Sequence, residues 1–226
     1  MAEAAGRAFV FANGGRIHVE TVRAMITSGD YLAAADGGLR FARALGVWPD
    51  ALIGDLDSVT EEEIAAARAA GVEIRRYPIH KNETDLELAL EAVIAAGYRV
   101  IRVVGALGGR LDMTLGNLFL LLLPALVERD ARLDDGYEEV FLIRAGQDGW
   151  IDGMAGERVS LLPLNGAAEG IVTEGLYYPL RGETLKPERT RGISNVMTGE
   201  RARVTLTSGV LICVHSRGIS VPEATG

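Results

Sequence analysis

The amino-acid sequence predicts a mainly parallel, Rossmann-like α/β sheet domain followed by an antiparallel β-sandwich. Three observations predict it. Up to Asp148, short apolar runs alternate with longer Ala/Leu/Arg/Glu stretches, the pattern of a parallel sheet covered by helices on both faces. After Gly149 the helical periodicity disappears and short strand-like runs are separated by glycines. Finally, 226 residues exceed a typical single domain, and 48% hydrophobic against 24% charged residues suit a folded chain with a sizeable core. The expected division is an α/β domain over 1–148 and a β-sandwich domain over 149–226.

The elements follow in order. Arg7–Ala12 reads as a strand, Val19–Ser28 as a helix, and Tyr31–Ala35 as a strand ending at Asp36-Gly37-Gly38. Leu39–Leu45 is a helix stopped by Gly46, and Ala51–Ile53 is a brief strand ending at Gly54-Asp55. Thr60–Ala70 is helical, and Val72–Tyr77 and Arg99–Val104 are strands. Thr84–Ala96 is the clearest helix: Thr84 and Glu87 have capping-box spacing, Leu86, Leu90 and Val93 share a face, and Gly97 ends it. Asp112–Leu123 is a further helix with Leu115, Leu118, Phe119 and Leu122 on one stripe. Beyond Gly149, strands are expected at Arg158–Leu162, Gly170–Thr173, Leu176–Leu180, Ala202–Leu206 and Val210–His215.

Composition narrows the function classes. A net charge of −8 argues against a protein that grips a nucleic-acid backbone, though not against one nucleotide held through a metal. The apolar run Leu118–Val127 is interrupted by Pro124 and too short to span a bilayer, and the first residues do not read as a signal peptide, so no membrane partner is expected. The single cysteine, Cys213, excludes an intrachain disulfide and fits a reducing, cytoplasmic setting.

The acidic residues carry chemical information. Eleven of the twelve aspartates precede Gly149, and four sit at strand exits or a helix start: Asp36, Asp55, Asp57 and Asp85. In open parallel sheets, ligands bind beyond the carboxyl ends of the strands. In Gly54-Asp55-Leu56-Asp57-Ser58, an extended backbone would point both carboxylates the same way, where they repel unless a proton or cation lies between them. Hard oxygen ligands of this kind suit Mg²⁺ with phosphate oxygens. The alternative is a turn with Asp57 or Ser58 capping the next helix. Asp36 before two glycines fits either an anion-facing loop or a plain turn.

Lys81-Asn82-Glu83-Thr84-Asp85 contains one of only two lysines in the chain. A lysine just before a helix N-terminus suits a phosphate, although a surface role fits too. Asp85 in the first turn favours the helix dipole whatever else it does. Neighbouring His80 fits a ligand contact too, although a lone histidine is more often structural. Gly105-Ala106-Leu107-Gly108-Gly109-Arg110-Leu111-Asp112 leaves a strand and enters a helix. Its glycines, Gly108 among them, permit close ligand approach, and Arg110 can bind phosphate oxygens bidentately. Asp112 caps the helix or joins the acidic cluster, and Asn117 lies on roughly the same flank. In the second domain, Ser194 and Asn195 within Arg191-Gly192-Ile193-Ser194-Asn195 suit either recognition of a heterocycle or a turn.

Together, Asp36-Gly37-Gly38, Gly54–Ser58, Lys81–Asp85, Gly105–Asp112 with Asn117, and Gly192–Asn195 resemble the bacterial thiamine pyrophosphokinases over nearly the whole chain. The resemblance implies transfer of pyrophosphate from ATP to the hydroxyl of thiamine, giving thiamine diphosphate and AMP. It implies Mg²⁺ on Asp55 and Asp57 with Asp85 as a third acidic partner, and a catalytic place for Asp36. It further implies phosphate contacts from Lys81 and Arg110, nucleotide-loop roles for Gly108, Asp112 and Asn117, and reading of the aminopyrimidine ring by Ser194 and Asn195. It also implies a homodimer with thiamine in a cleft drawn from both domains. Met113 departs from the family, which often has histidine there. Two rivals are another Mg²⁺-dependent nucleotide phosphohydrolase and a non-catalytic nucleotide-binding module.

Overall fold

The structure, a computed structural model, describes residues 6–218. The chain divides into two compact units, Met1–Gly136 and Tyr137–Gly226. The boundary expected after residue 148 falls inside the second unit, because Glu138–Arg144 is a strand that pairs antiparallel with Ser208–Ser216.

The first unit alternates β1 (Arg7–Phe11), α1 (Val19–Met25), β2 (Tyr31–Ala35), α2 (Leu39–Ala44), β3 (Ala51–Gly54), α3 (Glu61–Ala69), β4 (Glu73–Arg76), α4 (Asp85–Ala95), β5 (Val100–Val104), α5 (Leu111–Leu120) and β6 (Asp130–Asp134). The strands lie in the order β4-β3-β2-β1-β5-β6, all parallel. The order reverses at β1, which has β2 on one side and β5 on the other. A crevice opens at the carboxyl edge of such a reversal, because the loops on its two sides run to opposite faces of the sheet.

Burial explains why these segments are strands. Phe9, Val10, Phe11, Ala33, Ala34, Leu52, Ile53, Ile101 and Val103 are fully buried, so the central strands read as continuous apolar runs. Side chains on one sheet face join Val22, Leu39, Ala42, Ile64 and Ala67 from the helices. The helix starts are capped as their sequences dictate. Thr60 and Glu63 form a reciprocal capping box on α3. On α4, Thr84 accepts from the Glu87 N–H at 3.2 Å. The stripe expected to bury α5 does not: Leu115 and Phe119 are 44% and 50% exposed, and Asn117 is the buried residue of that helix.

The second unit contains β7 (Glu138–Arg144), β8 (Gly149–Asp152), β9 (Arg158–Glu174), β10 (Arg181–Leu185), β11 (Asn195–Val196), β12 (Arg201–Thr205) and β13 (Ser208–Ser216). One layer pairs β7, β13, the first half of β9 and β11. The other pairs β10 and β12 with the second half of β9, and β8 with β12. The two strands expected at 158–162 and 170–173 are therefore one long strand shared between the layers. Asn165 and Gly166, both at positive φ, lie between its halves. Phe141, Ile143, Leu161, Leu211 and Cys213 from one layer and Ile151, Ile171, Ala202 and Val204 from the other fill the core.

Leu176–Leu180, read from the sequence as a strand, is a loop anchored by a single bridge from Leu176 to Met197. Asn195 takes the place of a strand partner: its Oδ1 accepts from the Tyr178 N–H at 2.9 Å and its Nδ2 donates to the Tyr178 carbonyl at 2.7 Å.

Candidate active site

A cleft of about 640 Å³ opens at the carboxyl edge of the first unit's sheet. Five loops line it: Ala12–Gly14 after β1, Ala35-Asp36 after β2, Asp55–Ser58 after β3, Lys81–Leu86 at the start of α4, and Gly108–Asn117 around the start of α5. Every aspartate singled out at a strand exit or at the start of α4 lies in this lining, as do Lys81, Gly108, Arg110 and Asn117.

Asp36, Asp55 and Asp57 each place a carboxylate oxygen within 4.8 Å of the others. Their convergence depends on an unusual backbone. Asp36 and Leu56 adopt φ of 45° and 64°, uncommon for residues with a side chain. Leu56 is buried while Asp57 is exposed. The Asp55–Asp57 segment thus turns about an apolar anchor; it is not the extended strand the period-two argument assumed. Gly54 leaves β3 at φ 144°, and a Cβ there would lie 2.9 Å from Asp85 Oδ1. Only glycine lets the acidic side chains approach the strand end so closely. The cap of α3 is Thr60, so neither Asp57 nor Ser58 serves as its N-cap.

Lys81 faces this cluster. Its Nζ lies 2.7 Å from Asp55 Oδ2 and 2.9 Å from Asp85 Oδ1. Asp85 also accepts from the Asp55 N–H at 3.2 Å, and Asp36 from the Ser58 N–H at 3.2 Å. The hydrogen bond from Lys81 holds the Asp55 carboxyl below its ordinary value. Burial pushes the Asp85 carboxyl up, against the pull of Lys81. Burial disfavours charge on Lys81, but its bonds to Asp55 and Asp85 outweigh this and raise its pKa.

On the other side of the cleft, Arg110 pairs with Asp112 at 2.6 Å, and both are largely exposed. Arg110, not Asp112, is the N-cap residue of α5. Asn117 is 5% exposed and donates to the Ala106 carbonyl at 2.9 Å, fixing the glycine-rich loop from beneath. Met113 reaches the lining, and His80 does not.

Ser194 and Asn195 belong to the second unit. Ser194 is exposed at φ 60°, and Asn195 is buried with its amide committed to Tyr178. The sequence reading missed the loop after β1. The glycine pair Gly14-Gly15 directly after the first strand of a parallel sheet is the signal that points to it.

A site of this kind can hold a divalent cation on clustered carboxylates and present a lysine and an arginine to phosphate oxygens. Residues 22–132 match the family model described as thiamin pyrophosphokinase, catalytic domain. Residues 149–211 match thiamin pyrophosphokinase, vitamin B1 binding domain. The chain is 28% identical over 171 residues to the thiamine pyrophosphokinase of Bacillus subtilis strain 168, covering 76% of this chain and 80% of that protein. The crystal structure of thiamine pyrophosphokinase from Bacillus subtilis superposes with a TM-score of 0.83 at 25% identity, covering 95% of this chain and 100% of that one. The thiamin pyrophosphokinase of Candida albicans shares the fold, with a TM-score of 0.75 at 16% identity over 93% of this chain and 90% of that one.

Proposed function

The chain belongs to the thiamin pyrophosphokinase family, and we propose that it transfers the terminal pyrophosphoryl group of ATP to the hydroxyl of thiamine, releasing thiamine diphosphate and AMP. The observation that carries this reading is the carboxylate cluster of Asp36, Asp55 and Asp57 at the strand-order reversal, with Lys81 beside it. Two or three carboxylates forced together repel by several kcal/mol at an effective dielectric of about 20. A divalent cation offsets that repulsion; a plain turn has no need of it.

The donor set fits Mg²⁺: oxygen ligands only, from Asp55 and Asp57 with Asp36 adjoining, while Asp85, the third acidic partner the resemblance implies, is not part of that group and bonds Lys81 instead. When bound there, the ion would neutralise charge on the triphosphate. The remaining work falls to the chain. Lys81 and Arg110 bind phosphate oxygens, and the Gly108-Gly109 backbone allows close approach. The thiamine hydroxyl attacks the β-phosphorus in line, and AMP leaves with the bridging oxygen. The hydroxyl proton passes to a rim carboxylate, Asp36 or Asp85. Asp112 and Asn117 support the nucleotide loop. The second unit takes the thiamine ring, with Ser194 as an exposed polar contact and Asn195 shaping the adjoining loop. The same reading makes the enzyme a cytoplasmic homodimer. No helix among the described residues is long and apolar enough to cross a membrane.

Incubation with ATP, Mg²⁺ and thiamine, followed by identification of the products, tests the proposal. AMP and thiamine diphosphate, formed only when thiamine is present, are expected. ADP with thiamine monophosphate would replace it with a simple kinase, and thiamine-independent breakdown of ATP with a phosphohydrolase.

A further inference from the structure

Among the charged and amide side chains lining the cleft, Asn13 is the one without a partner within the described residues. Asp55, Lys81 and Asp85 hold one another, Arg110 holds Asp112, and Asn117 is bonded to Ala106. Asn13 is exposed to the cleft and makes no hydrogen bond there. It also precedes residue 22, where the match to the catalytic domain begins.

Its position is closely determined. Asn13 follows β1, the strand at which the sheet order reverses. The backbone around it is tied to the loop after β5: Ala12 N–H donates to the Val104 carbonyl at 2.8 Å, Gly14 N–H to Gly105 at 2.7 Å, and Gly15 N–H to Leu107 at 3.0 Å. The side chain lies over Gly37, where a Cβ would stand 2.4 Å from Asn13 Nδ2. A rigid loop therefore places a neutral amide between the carboxylates on one side and the Gly108–Arg110 loop on the other. A neutral donor suits this place. It can stabilise charge growing on a phosphoryl oxygen without competing, as a second carboxylate would repel and a second cation would pair with Asp36.

We propose that Asn13 is a further catalytic residue, whose Nδ2 donates to a non-bridging oxygen of the phosphoryl group in transfer. The inference rests on the pyrophosphoryl-transfer reading above. In that step the thiamine hydroxyl oxygen bonds to the β-phosphorus and the bond from that phosphorus to the α,β-bridging oxygen breaks. The bridging oxygen departs with the electron pair on AMP, and the hydroxyl proton goes to a rim carboxylate. Asn13 gives up no proton; it stabilises charge on the transferring group.

The test compares wild type with Asn13→Ala and Asn13→Asp, measuring kcat, KM for ATP and for thiamine, Mn²⁺ binding without nucleotide, and melting temperature. Removing one preorganised donor should lower kcat about 10²-fold in Asn13→Ala. Mn²⁺ affinity and melting temperature should stay at the wild-type values, since the amide bonds nothing in the protein. Asn13→Asp should fall further, because a carboxylate repels phosphoryl oxygens. An unchanged kcat in Asn13→Ala overturns the assignment and spares the proposed function. Loss of Mn²⁺ binding or of melting temperature overturns it in favour of a structural role. A wild-type protein that makes no thiamine diphosphate overturns the proposed function, and this assignment with it.

Discussion

Lys81 sets its ammonium 2.7 Å from the Asp55 carboxylate and 2.9 Å from that of Asp85, joining the start of α4 to the exit of β3. The pair is largely shielded: the side chains of Lys81 and Asp55 are 11% and 10% exposed. The two carboxylates restrain the lysine's flexible stem, so the positive charge is held at a fixed position in the cleft.

Lys81→Met removes that charge and frees Asp55 from the bond that keeps its carboxyl low. Turnover should fall on the order of 10²-fold, the usual cost of one electrostatic donor. In the metal-free protein the Asp55 carboxyl should also protonate at higher pH than in wild type, since the bond that keeps it low is gone. Steady-state kinetics checks the first and carboxyl NMR titration of the metal-free protein the second; an Asp55 carboxyl that titrates as in wild type would count against the pairing.

Asp57→Asn keeps the shape of the loop and removes one charge from the cluster with Asp36 and Asp55. Turnover should be abolished and Mn²⁺ binding weakened. Circular dichroism should match wild type and the metal-free melting temperature should not fall, because Asp57 is exposed, Leu56 still anchors the loop and one like charge is gone. Turnover at the wild-type rate would remove the metal assignment.

His215 is fully buried, with Nε2 at 2.8 Å from Glu157 Oε2 and Nδ1 at 3.7 Å from Glu139 Oε2. Either neutral tautomer sets a ring lone pair against a carboxylate, so the imidazolium fits the site. Burial opposes the charge, but Glu139 and Glu157 outweigh it and raise the histidine's pKa. A raised folded value means the stabilisation is fully present below the unfolded pKa of about 6.5 and is lost as pH rises through the folded value. Breaking a buried pair by removing one partner costs about 3–5 kcal/mol. His215→Asn should therefore lose stability by that order near pH 6, and the deficit should narrow as pH rises further. Urea denaturation at several pH values measures it; a deficit independent of pH would refute the charged state.

Gly14→Ala tests the joint between the loops after β1 and β5. The added Cβ would sit 2.2 Å from the Gly105 carbonyl oxygen, so backbone must move. Overpacking of this kind costs about 1–3 kcal/mol. The melting temperature should drop, and activity should fall more than stability alone explains, because Asn13 shifts with the loop. An alanine variant that melts with wild type would show the joint to be slack.

The local pattern of this chain determined a good deal. Alternation of apolar runs with capped, alanine- and leucine-rich stretches identified each of the first five strands and their helices, because burial on both faces of a parallel sheet leaves few polar positions. Aspartates at strand ends marked the cleft for a similar reason: the carboxyl edge is where polar side chains can meet a ligand. Other features came only from contacts distant in sequence. Leu176–Leu180 has the composition of a strand, yet the Asn195 amide occupies its backbone and leaves a loop. The α5 stripe looks like a core face, yet Leu115 and Phe119 are exposed and Asn117 is the buried residue of that helix. The partnership of Lys81 with Asp55 spans 26 residues, and the seat of Asn13 on Gly37 joins two strand exits. Sequence encodes periodicity and local caps, which depend on neighbours along the chain; which side chains finally touch depends on strand order, which the tertiary structure alone decides.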